Sequence, residues 1–153
     1  MHYTRCIKYT FISLFVLMFA LTSCTEEDDI ESIFSDRTWY VSGLNINGSN
    51  ANGDDIKSIY TVSESYFIHF SSNNTFSGIL VNGSSLSGKW DANGKDKSIS
   101  LHFTEAVNVE STTLSANIYR ILTNVSSYSG DENNIELRQN RTNFVRMSNR
   151  KKI

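Results

Sequence analysis

Cys24 is the residue best placed to carry chemistry, and the reaction its setting suits is attachment of acyl chains to a thiol. A short cationic head, Arg5 and Lys8, precedes an apolar run from Thr10 to Ala20. Leu21-Thr22-Ser23-Cys24 then closes the segment. Positive, then apolar, then small is the layout of a secretory leader, removed on export. The apolar run fits a signal core and falls short of the roughly 20 residues that span a bilayer. Cys6, the other cysteine of the chain, lies inside the leader and would be discarded with it, so no disulfide framework is open to the remainder.

Leu-Thr-Ser-Cys resembles the lipobox of bacterial lipoprotein signals. The resemblance implies cleavage before Cys24 and a lipid on its sulfur. Each buried methylene adds about 0.8 kcal/mol, so two or three chains would hold the protein on a membrane where one would not. Thr25-Glu26-Glu27-Asp28-Asp29 follows, and four successive acids read as a solvated linker. The run also resembles the acidic export signal of surface-displayed outer-membrane lipoproteins. The expectation is a signal peptide over 1–23 and a lipid-anchored acidic linker over 24–35. The protein would then be an outer-membrane lipoprotein, periplasmic or surface-exposed, with the membrane as its partner through Cys24.

Other chemistry finds thin support. A catalytic zinc needs about three ligands, and beyond the leader the chain offers only His69 and His102, with its cysteine committed to lipid. His102 falls on the polar phase of its strand, and His69 shares a face with Phe67. No metal and no cofactor are expected. Serines abound, yet no Gly-x-Ser-x-Gly elbow follows a strand and no glycine-rich turn ends in Lys-Ser/Thr. Glu64, Glu105, Glu110 and Glu136 form no recognisable acid pair. Asn45 to Asp55 alternates oxygen-bearing side chains like a calcium loop, but lacks the terminal Glu and flanking helices of an EF-hand, so a long polar turn is expected. Catalytic residues are therefore expected to be none. Trp39, Tyr40, Tyr66 and Trp90, with Phe67, could line a groove for sugar or peptide, although large aromatics in so small a domain mostly fill the core.

Most of these residues sit on short alternating segments separated by Asn, Gly and Asp clusters, the signature of antiparallel sheet. Strands are expected at 37–44, 65–70, 75–81, 86–90, 98–103, 126–128, 134–138 and 143–147. Asn82-Gly83 marks a hairpin. In 98–103 Ile99, Leu101 and Phe103 point one way, and Ser98, Ser100 and His102 the other. Leu114, Ile118, Ile121, Leu122 and Val125 break the period of two and form one helical stripe. Ser115, Asn117, Arg120 and Asn124 are placed on its polar side. The expected fold is mainly β (α+β). It is a single strongly bent antiparallel sheet or half-open barrel of about 7–8 strands, with one helix (about 112–124) packed on it.

Charge narrows the partners. Loss of residues 1–23 removes two of 14 cations and none of 16 acids, leaving 12 against 16. A modestly acidic domain does not suit nucleic acid. Acids crowd the front and are absent after Glu136, where Arg138, Arg141, Arg146, Arg150, Lys151 and Lys152 follow. Residues 148–153 read as a frayed basic tail.

The order of elements resembles the META domain of HslJ-like lipoproteins over residues 36–147. Trp39-Tyr40-Val41 matches its "W-x-hydrophobic" strand, Phe76-Ser77-Gly78 its "F-x-G", and Asn82 to Gly88-Lys89-Trp90 its Asn before "G-x-aromatic". Ile33-Phe34-Ser35-Asp36-Arg37-Thr38-Trp39 is similar to the opening of uncharacterised lipoproteins. The resemblance implies a non-catalytic envelope protein acting by protein contact under stress. The alternative is a lipocalin-like binder of a small apolar ligand or glycan, with an interior cavity.

Overall fold

The computed structural model describes residues 27–51, 53–61, 66–80, 84–104 and 113–151. Cys24, the leader and Asn82-Gly83 lie outside them. The elements are α1 (Ile30–Phe34), β1 (Arg37–Ile46), β2 (Ser49–Asn50), α2 (Gly53–Thr61), β3 (Phe67–Phe70), β4 (Thr75–Ile79) and β5 (Ser85–Asn93). After these come β6 (Ser98–Phe103), α3 (Thr113–Leu122), β7 (Ser127–Gly130), β8 (Asn134–Arg138) and β9 (Phe144–Ser148).

Alternation along the strands builds one wall with an apolar inner side. Trp39 and Val41 on β1, Ile68 and Phe70 on β3, and Leu86 and Trp90 on β5 are buried. So are Ile135 and Leu137 on β8, and Val145 and Met147 on β9. The nine strands run antiparallel in sequence order from β1 to β9, with β2 as a short flap on β1. The wall closes. On one edge β1 pairs with β3, Arg37–Tyr40 against Phe70–Phe67; on its other edge it pairs with β9, Tyr40–Asn45 against Ser148–Phe144. An irregularity between Val41 and Gly43 bends β1 so that it serves both neighbours. The result is a closed eight-strand barrel with one extra strand, where the sequence left open a bent sheet or a half-open barrel. The thinnest seam lies between β6 and β7, which share the single register pair Ser98 and Ser127.

Two glycines make the curvature possible. A methyl group at Gly78 would strike the Phe67 carbonyl oxygen, and one at Gly88 the His102 carbonyl and, at 2.7 Å, Phe76 Cε1. Neighbouring strands approach too closely there for any side chain.

Helices close the two ends. At the end formed by Arg37, Phe70, Asn93 and Gly130, α1 inserts Ile33 and Phe34. The Phe34 ring lies 5.3 Å from Phe70, 5.7 Å from Trp90 and 5.1 Å from Tyr128. Asp29 caps this helix by accepting from the Ser32 N–H at 3.3 Å. At the opposite end α3 packs on β8 and β9, burying Leu114, Ile118, Ile121 and Leu122, with Val125 just beyond it. Ser115, placed by spacing on the polar side of α3, is instead fully buried, with its Oγ 3.2 Å from the Tyr66 hydroxyl.

Three expected segments differ. Residues 28–35 are folded onto the barrel rather than free as linker, because Ile33 and Phe34 outweigh the acids around them. The polar stretch 45–55 divides: Asn45 and Ile46 end β1, Asn47 (φ 52) and Gly48 (φ 83) make a left-handed turn, β2 returns, and α2 starts at Gly53. The expected tail from 148 is ordered at its start. Asn149 Nδ2 donates to the Glu132 carbonyl at 2.9 Å, and the Arg150 N–H to Ser148 Oγ at 3.3 Å.

Candidate functional site

The four aromatics nominated as a contact surface do not share one. Trp39 is fully buried and its indole N–H donates to the Ile33 carbonyl at 3.1 Å. Trp90 is buried and donates to the Ser71 carbonyl at 3.1 Å. Tyr66 is buried at the other end of the barrel against Ser115. All three polar groups are satisfied internally, which makes these residues packing. Tyr40 alone is on the outer wall, half-buried, its ring 6.2 Å from Phe67.

The histidines are separate. His69 Nδ1 lies 3.0 Å from Thr38 Oγ1, and the exposed His102 pairs with Ser100 Oγ at 3.4 Å. Among the described residues no group of three or more His, Cys, Asp or Glu is placed to hold a metal ion. In the stretch like a calcium loop, two contacts hold the turn. Asn45 Nδ2 donates to Asn50 Oδ1, and the Asn47 N–H to Asn143 Oδ1.

Two features of the surface were not anticipated. The first is an open cleft of about 480 Å³ at the α1 end, lined by Glu27, Asp28, Asp29, Lys97, Asp131 and Glu132. Asp28 organises it. Its carboxylate accepts the Tyr128 hydroxyl at 3.0 Å and pairs with Lys97 Nζ at 3.2 Å; its N–H donates to the Gly94 carbonyl at 3.3 Å. Burial, and then the hydrogen bond to Asp28, push the Tyr128 phenol well above its ordinary range. Tyr128 is thus a donor at neutral pH. Asp131 is held below the usual carboxylate range by the N–H groups of Asn133 and Asn134. These acids are occupied in fixing the chain.

The second feature is a charged strip across β8 and β9. Glu136 is paired with Arg138 on its own strand and with Arg146, its cross-strand neighbour, at 3.0 Å. Both guanidinium groups lie over the Phe144 ring, 4.6 and 5.0 Å from its centroid. Arg146 also reaches Asn50 at 3.1 Å, and Arg138 Nε donates to Ser129 Oγ at 3.3 Å. A recess of about 200 Å³ adjoins this strip, walled by Glu136, Arg146, Ser42 and Ser129. The network ties β7, β8, β9 and β2 together. The sequence showed the run of arginines but not the carboxylate they share.

The sequence model of a family described as a domain of unknown function, DUF4847, matches residues 25–149. The chain belongs to the DUF4847 family. It is also similar to a solved structure, the crystal structure of a DUF4847 family protein from Bacteroides vulgatus ATCC 8482. Identity is 23%, the TM-score is 0.67, and the match covers 82% of this chain and all of the other. Comparison with curated proteins returns no match. The DUF4847 assignment overturns the META and HslJ resemblance. The residues that carried that likeness are ones the barrel itself demands: Trp39 fills the interior, and Gly78 and Gly88 sit where strands crowd. The DUF4847 match begins at residue 25, so the segment before β1 belongs to the family pattern along with the strands.

Proposed function

We propose that this DUF4847 protein is an exported, non-catalytic envelope protein, acylated at Cys24 and acting by contact between its folded surface and another envelope component. Leu-Thr-Ser-Cys behind an apolar run supports the anchor. The acidic run after Cys24 supports placement at the outer membrane, periplasmic or surface-exposed. The observation that carries the mode of action is the packed interior at the α1 end. Phe34, Trp39, Phe70, Trp90 and Tyr128 fill it with their own rings, so contact made from outside fits better than a ligand held within. No nucleic acid partner is proposed.

Labelling with a fatty-acid analogue tests the anchor: wild type takes up label and sediments with membranes, while Cys24→Ala does neither. Protease shaving of intact cells separates surface from periplasmic display. The second reading, a lipocalin-like binder, draws on the closed eight-strand wall, the architecture lipocalins use around a ligand. Organic extraction of the purified protein decides between the two. A stoichiometric co-purifying small molecule would favour the binder and overturn contact as the primary role.

A further inference from the structure

We propose that the α1 end of the barrel faces the lipid surface and the α3 end is turned away from it. The inference rests on the acylation of Cys24 proposed above, and adds to it an orientation. Thr25, Glu26 and Glu27 are the only residues between Cys24 and Asp28. Four peptide units reach about 14 Å when fully extended. Asp28 is not free to lengthen that tether. Its N–H is bonded to Gly94, its carboxylate holds Tyr128 and Lys97, and its backbone lies so close to Gly94 that a methyl group there would strike the Asp28 carbonyl. The following helix then anchors Ile33 and Phe34 in the barrel.

The far end is out of the tether's range. β5 runs nine residues from the α3 end to the α1 end. At about 3.3 Å per residue and a barrel tilt near 40°, this places the two rims about 20 Å apart along the axis. The surface brought to the membrane is polar. Exposed acids there, among them Glu27, Asp29, Asp131 and Glu132, outnumber the exposed cations such as Lys95 and Lys151. Such a rim offers nothing to insert among acyl chains.

The test uses the full acylated protein, reconstituted into vesicles of phosphatidylethanolamine and phosphatidylglycerol. Mature protein has no cysteine other than Cys24, so Lys95→Cys at the α1 end and Arg141→Cys at the α3 end each accept one fluorophore. Both positions are exposed turns, and neither variant disturbs the core. A nitroxide on the lipid headgroup reads proximity. The expected result is quenching of the Lys95→Cys label at least twofold greater than that of the Arg141→Cys label. Equal or reversed quenching on protein whose intact mass shows acylated Cys24 overturns the orientation and leaves the anchor standing. An intact mass without acyl chains overturns both.

Discussion

Tyr128 and Asp28 are joined by a 3.0 Å hydrogen bond across a hundred residues of sequence, linking the segment before the first strand to the seventh. Together they fix the chain entry to the barrel. Tyr128→Phe should destabilise the fold by about 1 kcal/mol in urea unfolding, the usual value of one intramolecular hydrogen bond. Burial of the phenol, and then this bond, set an alkaline limit. An unfolded tyrosine ionises near 10.0, and the folded one at higher pH. Its contribution is therefore complete below about pH 10 and declines above it, by at most about 1.4 kcal/mol per unit. Tyr128→Phe should remove this component of the alkaline decline, which unfolding curves between pH 9 and 11 would measure.

Gly94 supports the same junction from below. A methyl group there would collide with the Asp28 backbone. Gly94→Ala should loosen residues 28–34 while leaving the strands paired. Hydrogen exchange checks this, with faster exchange expected at Ile33 and Ser35, whose amides bond back to Asp29 and Glu31.

Gly88→Ala should be more damaging, because the clash is with the His102 carbonyl inside the wall and with the Phe76 ring. Overpacking of this kind costs about 1–3 kcal/mol. A urea midpoint unchanged from wild type would contradict the crowding described at β4, β5 and β6.

Both tryptophans should report burial. Trp39 and Trp90 are 0% and 4% exposed. Native emission is expected at short wavelength, with iodide quenching several-fold below that of the urea-unfolded chain. Trp39→Ala should cost about 3–5 kcal/mol, enough to threaten folding of a domain this size.

The strands and the third helix were legible because their residues alternate or recur strictly. Ile99 and Leu101 turn inward and His102 outward, and the stripe Leu114, Ile118, Ile121, Leu122 is buried as its spacing requires. Closure was not legible. It depends on β1 bending at Ser42-Gly43 to pair on both edges, and nothing in that dipeptide distinguishes a bend from a strand end. The first helix was hidden for a different reason. Acids at 26–29 and 31 suggest a solvated linker, and Ile30, Ile33 and Phe34, although spaced i, i+3, i+4, span a single turn, too short to establish a period. The aromatics were legible in part: Trp39, Tyr66 and Trp90 are buried, as large aromatics in a small domain mostly are, while alternation sets Tyr40 on the outer side of the wall. The charge network at Glu136 needs pairing register, which sequence alone does not supply.

The N-terminal plug also determines how the molecule would respond to pulling. Tension arriving along the chain from residue 24 meets Asp28, then the α1 turn, before it reaches any rung of the sheet. Its contacts at Gly94, Tyr128 and Lys97 are few and individually weak, so they would yield one after another. Only after Phe34 is drawn out would load pass to β1, which pairs with both β3 and β9. With load applied through an acylated Cys24, the segment before β1 would act as a mechanical fuse, letting go before the wall behind it opens.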